Sequence, residues 1–349
     1  MNKKLMLIGV IFVVAMAIFY LESMKSNPKI NTGENTIIEN SLYPSAPELR
    51  GISGYINVDN ISLATLRGKV VLIDFWTFSC INCIRTQPYL NAWYEKYRDS
   101  GFEIIGVHTP EFEFEKDYDN VAEAVRKGSI KYPVVLDNDY LTWRAYKNQY
   151  WPRKYLIDSQ GRIRYDHIGE GAYDETEKEI RKLLVERNQT MKLADETNVS
   201  GINVGRIGTP EIYFGYGFNR GNFGNKEGML PEEIINYKLP EDLEFNNAYL
   251  EGKWLSKQDY MELREDFGKI ILRYSAKAVN IVAAGNATVK VLIDGKPASG
   301  IQGEDAKNSS VFVNDEKLYN VIMGNDSSEN IMELYISGKG FRVYTFTFG

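Results

Sequence analysis

The sequence predicts an α/β unit followed by an antiparallel β-sandwich. Three observations carry this. The apolar run at residues 70–76 leads directly into Cys80-Ile81-Asn82-Cys83 and then into helical periodicity. Strand-like and helix-like stretches then alternate to about residue 190, with a hairpin before the last helix. From Thr209 the pattern is strand-like and turn-rich to the C-terminus.

At 349 residues, with 44% hydrophobic and 13% aromatic residues, the chain suits two domains, each able to bury a core. The net charge of −6 comes from interspersed acids and bases. No basic block is present to track a phosphate backbone, which argues against nucleic acid as a partner. Two cysteines and two distant histidines, His108 and His167, are too few soft ligands for a structural zinc site, and no metal is expected.

Residues 1–22 read as a membrane anchor or signal segment. Lys3 and Lys4 precede an apolar run over residues 5–21, at the short end for a membrane span. The positive start would stay in the cytoplasm and place the rest on the extracytoplasmic face. Cleavage after a site such as Ala15-Met16-Ala17 is the competing reading, although Ile18-Phe19-Tyr20-Leu21 prolongs the apolar run. Residues 23–43 read as a polar tether.

Residues 44–190 form the expected α/β unit. Residues 44–68 are turn-rich. After the strand at 70–76, Ile84, Tyr89, Leu90, Trp93, Tyr94 and Tyr97 recur at helical spacing, with Pro88 expected to kink the helix. Gly101 ends that helix, and residues 102–107 form a second strand. A helix is expected at 117–127, a strand at 132–136 and a helix at 139–148. Strands at 153–157 and 162–168 flank the turn Asp158-Ser159-Gln160-Gly161, and an amphipathic helix covers 174–187. Residues 191–208 read as a linker. In the β-sandwich at 209–349, strands are expected at 270–274, 278–283, 289–293, 331–336 and 341–348. Tyr213, Phe214, Tyr216, Phe218 and Phe223 open it as an aromatic cluster that could stack on sugars or serve as packing.

The chemistry centres on the only two cysteines. Cys80 falls at the expected helix N-terminus, where unpaired N–H groups and the helix dipole favour an anion, and the thiolate is the attacking species. Cys83, one turn on, can resolve a mixed disulfide. A structural disulfide closing so small a loop would gain little stability, which favours a redox-active Cys80–Cys83 pair with no further cofactor. A thiol peroxidase and a binding protein with an inert disulfide remain as alternatives. Thr77 lies three before Cys80, as in peroxiredoxins, but Ile73 stands where their motif has proline.

Val71-Leu72-Ile73-Asp74-Phe75-Trp76 followed by Cys80-Ile81-Asn82-Cys83 resembles the thioredoxin fold, and more closely the TlpA-like, membrane-tethered thiol-disulfide oxidoreductases. The stretch from Phe75 to Cys83, Gly106-Val107-His108-Thr109-Pro110-Glu111-Phe112 and Tyr150-Trp151-Pro152-Arg153-Lys154-Tyr155 are similar to the soluble part of DipZ proteins, a likeness that runs over residues 44–349. It implies a thioredoxin fold with a TlpA-like insertion and a β-sandwich like a carbohydrate-binding module. DipZ proteins carry a multi-span electron-transfer domain where this sequence has one hydrophobic segment. The resemblance therefore implies a separate CcdA- or DipZ-like membrane electron donor, exported protein disulfides or thiols as substrates, and a place in chemistry of the cytochrome c biogenesis type. It assigns Asp74 as the buried acid that deprotonates Cys83, Pro152 as the cis-proline facing the disulfide, and Trp76 and Trp151 as substrate-contacting residues. His108 and Glu111 are candidate acid/base residues. Ile81 and Asn82 bring no positive charge between the cysteines, which points to a reductant or isomerase rather than a strong oxidant.

Overall fold

Seven consecutive residues of strand β2 (Val70–Trp76) are buried, at the centre of a six-stranded sheet. In this computed structural model the described residues are 43–349, except 191, 194, 200–204 and 206. The anchor or signal reading of residues 1–22, and all but the end of the tether, lie outside them. Among the described residues no helix is long and apolar enough to cross a membrane.

The sheet runs β1 (Gly54–Ile56), β4 (Val134–Leu136), β3 (Phe102–His108), β2, β5 (Arg153–Ile157), β6 (Ile163–Ile168). β2 pairs parallel to β3 and antiparallel to β5. Helices α1 (Ile81–Tyr97), α2 (Tyr118–Lys127), α3 (Leu141–Ala145) and α4 (Tyr173–Arg187) complete this half. Because both faces of β2 and β3 are covered, they read as near-continuous apolar runs, broken by Asp74, Glu103 and His108, rather than alternating ones. Leu72, Trp93, Phe102 and Leu184 pack on one face of the sheet; Ile73, Phe75, Ile105 and Trp143 pack on the other.

The helix expected at 139–148 shrinks to the five residues of α3. Tyr140 and Lys147 adopt left-handed backbone conformations (φ 58° and 51°), which stop it at both ends. Strand β1 lies in a stretch that reads as turns and forms by pairing with β4. Asp117 caps α2, its carboxylate accepting from the Asp119 and Asn120 amides.

Strands β7 (Ile212–Tyr213), β8 (Ile234–Tyr237), β9 (Ala248–Ser256), β10 (Met261–Leu263), β11 (Phe267–Ser275), β12 (Ala278–Ala284), β13 (Ala287–Ile293), β14 (Lys296–Pro297), β15 (Ala306–Lys307), β16 (Ser310–Val313), β17 (Lys317–Met323), β18 (Glu329–Ser337) and β19 (Arg342–Phe348) form one antiparallel sheet folded on itself, a sandwich closing nearly into a barrel. The fold lies in β9. Its first half pairs with β11 and its second half with β10, with Gly252 (φ 102°) between them. A Cβ there would meet Glu265 Oε1 at 2.7 Å, in a conformation that side chains rarely adopt. Leu250, Trp254, Leu272, Ile281, Val289 and Phe346 fill the interior.

Whether the two halves touch is left open by the sequence. In the structure residues 45–349 form one unit. Every residue of β12 is buried, because its inner face joins the sandwich core and its outer face, through Val282 and Ala284, meets Ile81, Phe112 and Phe114. Tyr344 adds ring contacts to Phe112 and Phe114 at 5.1 and 4.9 Å.

Candidate active site

The Cys-x-x-Cys pair sits at the end of β2, where the sheet delivers the chain to α1. Cys80 is the N-cap of α1, with extended backbone angles (φ −80°, ψ 113°), and its Sγ accepts the Cys83 backbone N–H at 3.3 Å. Both cysteines are free thiols; Cys80 is half-buried and Cys83 is buried. No acidic residue occupies the first turn of α1 to oppose a thiolate. Burial pushes the Cys83 thiol well above the usual range, and neighbouring Cys80 adds to this. A half-buried thiol and a buried one a turn away are thus distinguished by geometry.

Asp74 lies behind the pair in β2, 2% exposed, with Oδ1 lacking a hydrogen-bond partner. Loss of water pushes its carboxyl up to about 7, and Lys154 pulls the other way. Lys154 is the cross-strand partner of Asp74 in β5, fully buried, and donates to the Gly169 carbonyl at 3.0 Å. Its own affinity for a proton is lowered by burial. The Asp74 charge also reaches Cys83, raising its thiol further.

The Trp151–Pro152 peptide is cis. Trp151 is half-buried: its indole N–H donates to the Thr109 carbonyl at 3.0 Å, and its ring lies 4.2 Å from that of Trp143. The Pro152 carbonyl accepts from Gly169 N–H at 2.8 Å. The adjoining Glu170 forks with Arg85, Oε2 to Nε and Oε1 to Nη2, both at 2.8 Å, and Arg85 also donates to Asn82 Oδ1 at 2.7 Å. One loop therefore ties the proline to the residue before Cys83.

Two expectations need correction. Trp76 is 2% exposed and packs in the core with Cys83, so its side chain offers substrate no surface. His108 is fully buried between Trp76 and Phe78, with Nε2 3.3 Å from Thr77 Oγ1. Burial lowers it to about 3, which leaves it neutral across the physiological range and unsuited to exchanging protons there. Glu111 points to the β-rich half, accepting the Tyr213 hydroxyl at 2.7 Å, and burial with the nearby Glu115 charge pushes it up to about 8. In the aromatic cluster, Tyr213 and Phe218 pack against the α/β half, and Phe214 and Phe223 against the sandwich core. Among the described residues no group of three or more metal-ligating side chains converges.

Sequence reasoning missed Lys154, the Arg85–Glu170 fork and buried Glu115. Lys154 had a partial signal: it is a lysine inside the strand expected at 153–157, although its pairing beside Asp74 appears only in the structure. Glu115 had none, because its burial depends on how the loop after β3 folds back.

Residues 46–166 match the AhpC/TSA family model, and residues 209–349 match the model described as a thioredoxin-like C-terminal domain. The chain is 32% identical over 123 residues to the thiol-disulfide oxidoreductase ResA of Bacillus cereus, covering 35% of this chain and 68% of ResA. The chain belongs to the thiol-disulfide oxidoreductase family. The chain is also 40% identical over 313 residues to Protein DipZ of Mycobacterium tuberculosis, covering 87% of the chain but 43% of DipZ. It therefore spans less than half the length of that relative. Among solved structures, one described as the solution structure of a thioredoxin-like protein in the oxidized form covers 42% of this chain and 97% of its own, at 30% identity and a TM-score of 0.39.

Proposed function

We propose that this oxidoreductase reduces or isomerises disulfides of exported proteins on the extracytoplasmic face of the membrane, through Cys80 and Cys83. The observation that carries this is the asymmetry of the pair: Cys80 is accessible at a helix N-cap, and Cys83 is buried beside Asp74.

The Cys80 thiolate attacks one sulfur of a substrate disulfide. That S–S bond breaks, the leaving thiolate takes up a proton, and a mixed disulfide remains. Cys83 then gives its proton to the Asp74 carboxylate and attacks Cys80 Sγ, and the second substrate sulfur leaves as a thiolate that takes up a proton from water. Two electrons pass to the substrate and a Cys80–Cys83 disulfide forms. A separate membrane dithiol donor reduces it again. The substrate chain runs along the Trp151 backbone beside the cis bond, and residues 1–22 tether the protein as a single-span anchor or are removed on export. The uncharged Ile81 and Asn82 favour the reducing direction. A peroxidase reading is disfavoured, since the relative ResA is named a thiol-disulfide oxidoreductase and the resolving cysteine lies within the same helical turn.

The deciding experiment is equilibration of the purified protein with glutathione and dithiothreitol buffers. A reduction potential near that of thioredoxin, about −270 mV, supports the reductant. A value near about −120 mV reverses the direction. Failure to equilibrate leaves a structural disulfide and sinks the catalytic reading.

A further inference from the structure

The loop after β3 folds back beneath the active site, and its Glu115 is completely buried. Both carboxylate oxygens are engaged on opposite sides. Oε1 accepts the Ser79 hydroxyl at 2.6 Å and the Ser79 N–H at 3.3 Å. Oε2 accepts the backbone N–H of Phe112 at 2.9 Å and that of Glu111 at 2.5 Å. The chief influences on it are burial, which raises its proton affinity, and these neutral donors, which lower it; no cation is among them.

A buried carboxylate without a cation is costly unless donors satisfy it. Holding the loop would need only the Phe112 and Glu111 contacts. The second pair of donors belongs to Ser79, the residue immediately before Cys80. An ionised carboxylate accepts at both ends, whereas an amide accepts at one and donates at the other. Accepting a backbone N–H on each side suits a carboxyl, whereas an amide would turn an N–H against one of them. On the far side of the bridge, Phe112 and Phe114 carry the contact with Tyr344 and the β-rich half.

We propose that Glu115 is a positioning residue for disulfide exchange: it fixes Ser79, and through Ser79 the N-cap geometry of Cys80, against the loop that the β-rich half clamps. The proposal rests on the dithiol reading above and adds a residue that does not touch the reacting sulfurs.

The test is steady-state reduction of a peptide disulfide by the full chain, with dithiothreitol as reductant. Glu115→Gln keeps the shape and loses acceptance at one end; kcat falls about tenfold while KM is unchanged. Ser79→Ala, which keeps the amide bond and loses the hydroxyl bond, gives a smaller loss in the same sense. Asn120→Ala removes a 3.2 Å bond to the Phe114 carbonyl and so loosens the same loop away from Ser79; it keeps wild-type kcat. The proposal is overturned if Glu115→Gln keeps wild-type kcat, or if Asn120→Ala loses as much as Glu115→Gln, since either result reduces Glu115 to loop structure. Cys80→Ser, run alongside, abolishes turnover; turnover surviving there would sink the dithiol reading itself, and this proposal with it.

Discussion

The Tyr213 hydroxyl donates to Glu111 Oε1 at 2.7 Å and lies 3.1 Å from Glu211 Oε2, so a single proton from the β-rich half faces two carboxyls. The shorter contact reaches into the loop that follows the central strands of the α/β half. Tyr213→Phe leaves the Glu111 carboxyl without this donor in an environment poor in water. Removing one partner of a buried polar pair costs about 1–3 kcal/mol. Urea unfolding checks this; a midpoint equal to wild type would show that solvent replaces the hydroxyl.

Glu111 and Asp74 are both pushed up by burial, to about 8 and about 7. The folded protein therefore keeps protons that the unfolded chain releases in the ordinary carboxylate range. The contribution of both groups to stability is full below that range and is lost as pH rises, through about 7 for Asp74 and about 8 for Glu111. The melting temperature accordingly falls between pH 5 and 8 in wild type and falls less steeply in Asp74→Asn/Glu111→Gln. Parallel profiles for the two proteins would show that neither group titrates as its burial requires.

Asp74 also has a kinetic role to test. As the proposed base for Cys83 it would act on the second chemical step alone. Asp74→Asn slows resolution of the mixed disulfide on the order of a hundredfold, the scale of a lost general base. Formation of the mixed disulfide, followed by acid quenching in a Cys83→Ser background, keeps its rate. Equal slowing of both steps would instead make Asp74 a determinant of Cys80.

Much of this was legible in the sequence for a physical reason. β2 and β3 sit at the centre of a sheet covered on both faces, so apart from Asp74, Glu103 and His108 their sequences are apolar, and the cysteines follow where β2 gives way to a helix. The short strands β1 and β14–β16 were illegible because pairing partners, not local pattern, create them. His108 shows the limit for site residues. Its place at a strand end suggested chemistry, but Trp76 and Phe78 enclose its ring, and no local signal reveals that. Glu115 shows the converse: an acid within a charged stretch, made central by the fold-back of its loop.

The contact between the halves makes the last prediction. Phe112 is 1% exposed, and its ring meets those of Phe114, Phe218 and Tyr344 at 5.9, 5.7 and 5.1 Å. Truncation to alanine costs about 3–5 kcal/mol, as for other buried phenylalanines. The loss falls on the contact rather than on either core, because the Phe112 cluster joins Ile81 and Phe114 on one side to Val282 and Leu318 on the other. Wild type should unfold in urea as one transition, and Phe112→Ala as two. Trp254 reports the β-rich half, and Trp76, Trp93, Trp143 and Trp151 report the α/β half, so single-tryptophan variants can follow each separately. One shared transition in Phe112→Ala, shifted but unsplit, would mean that the halves remain coupled through the hydrogen bonds of Glu111 and of Glu113, whose N–H donates to Asp259 Oδ2 at 3.1 Å.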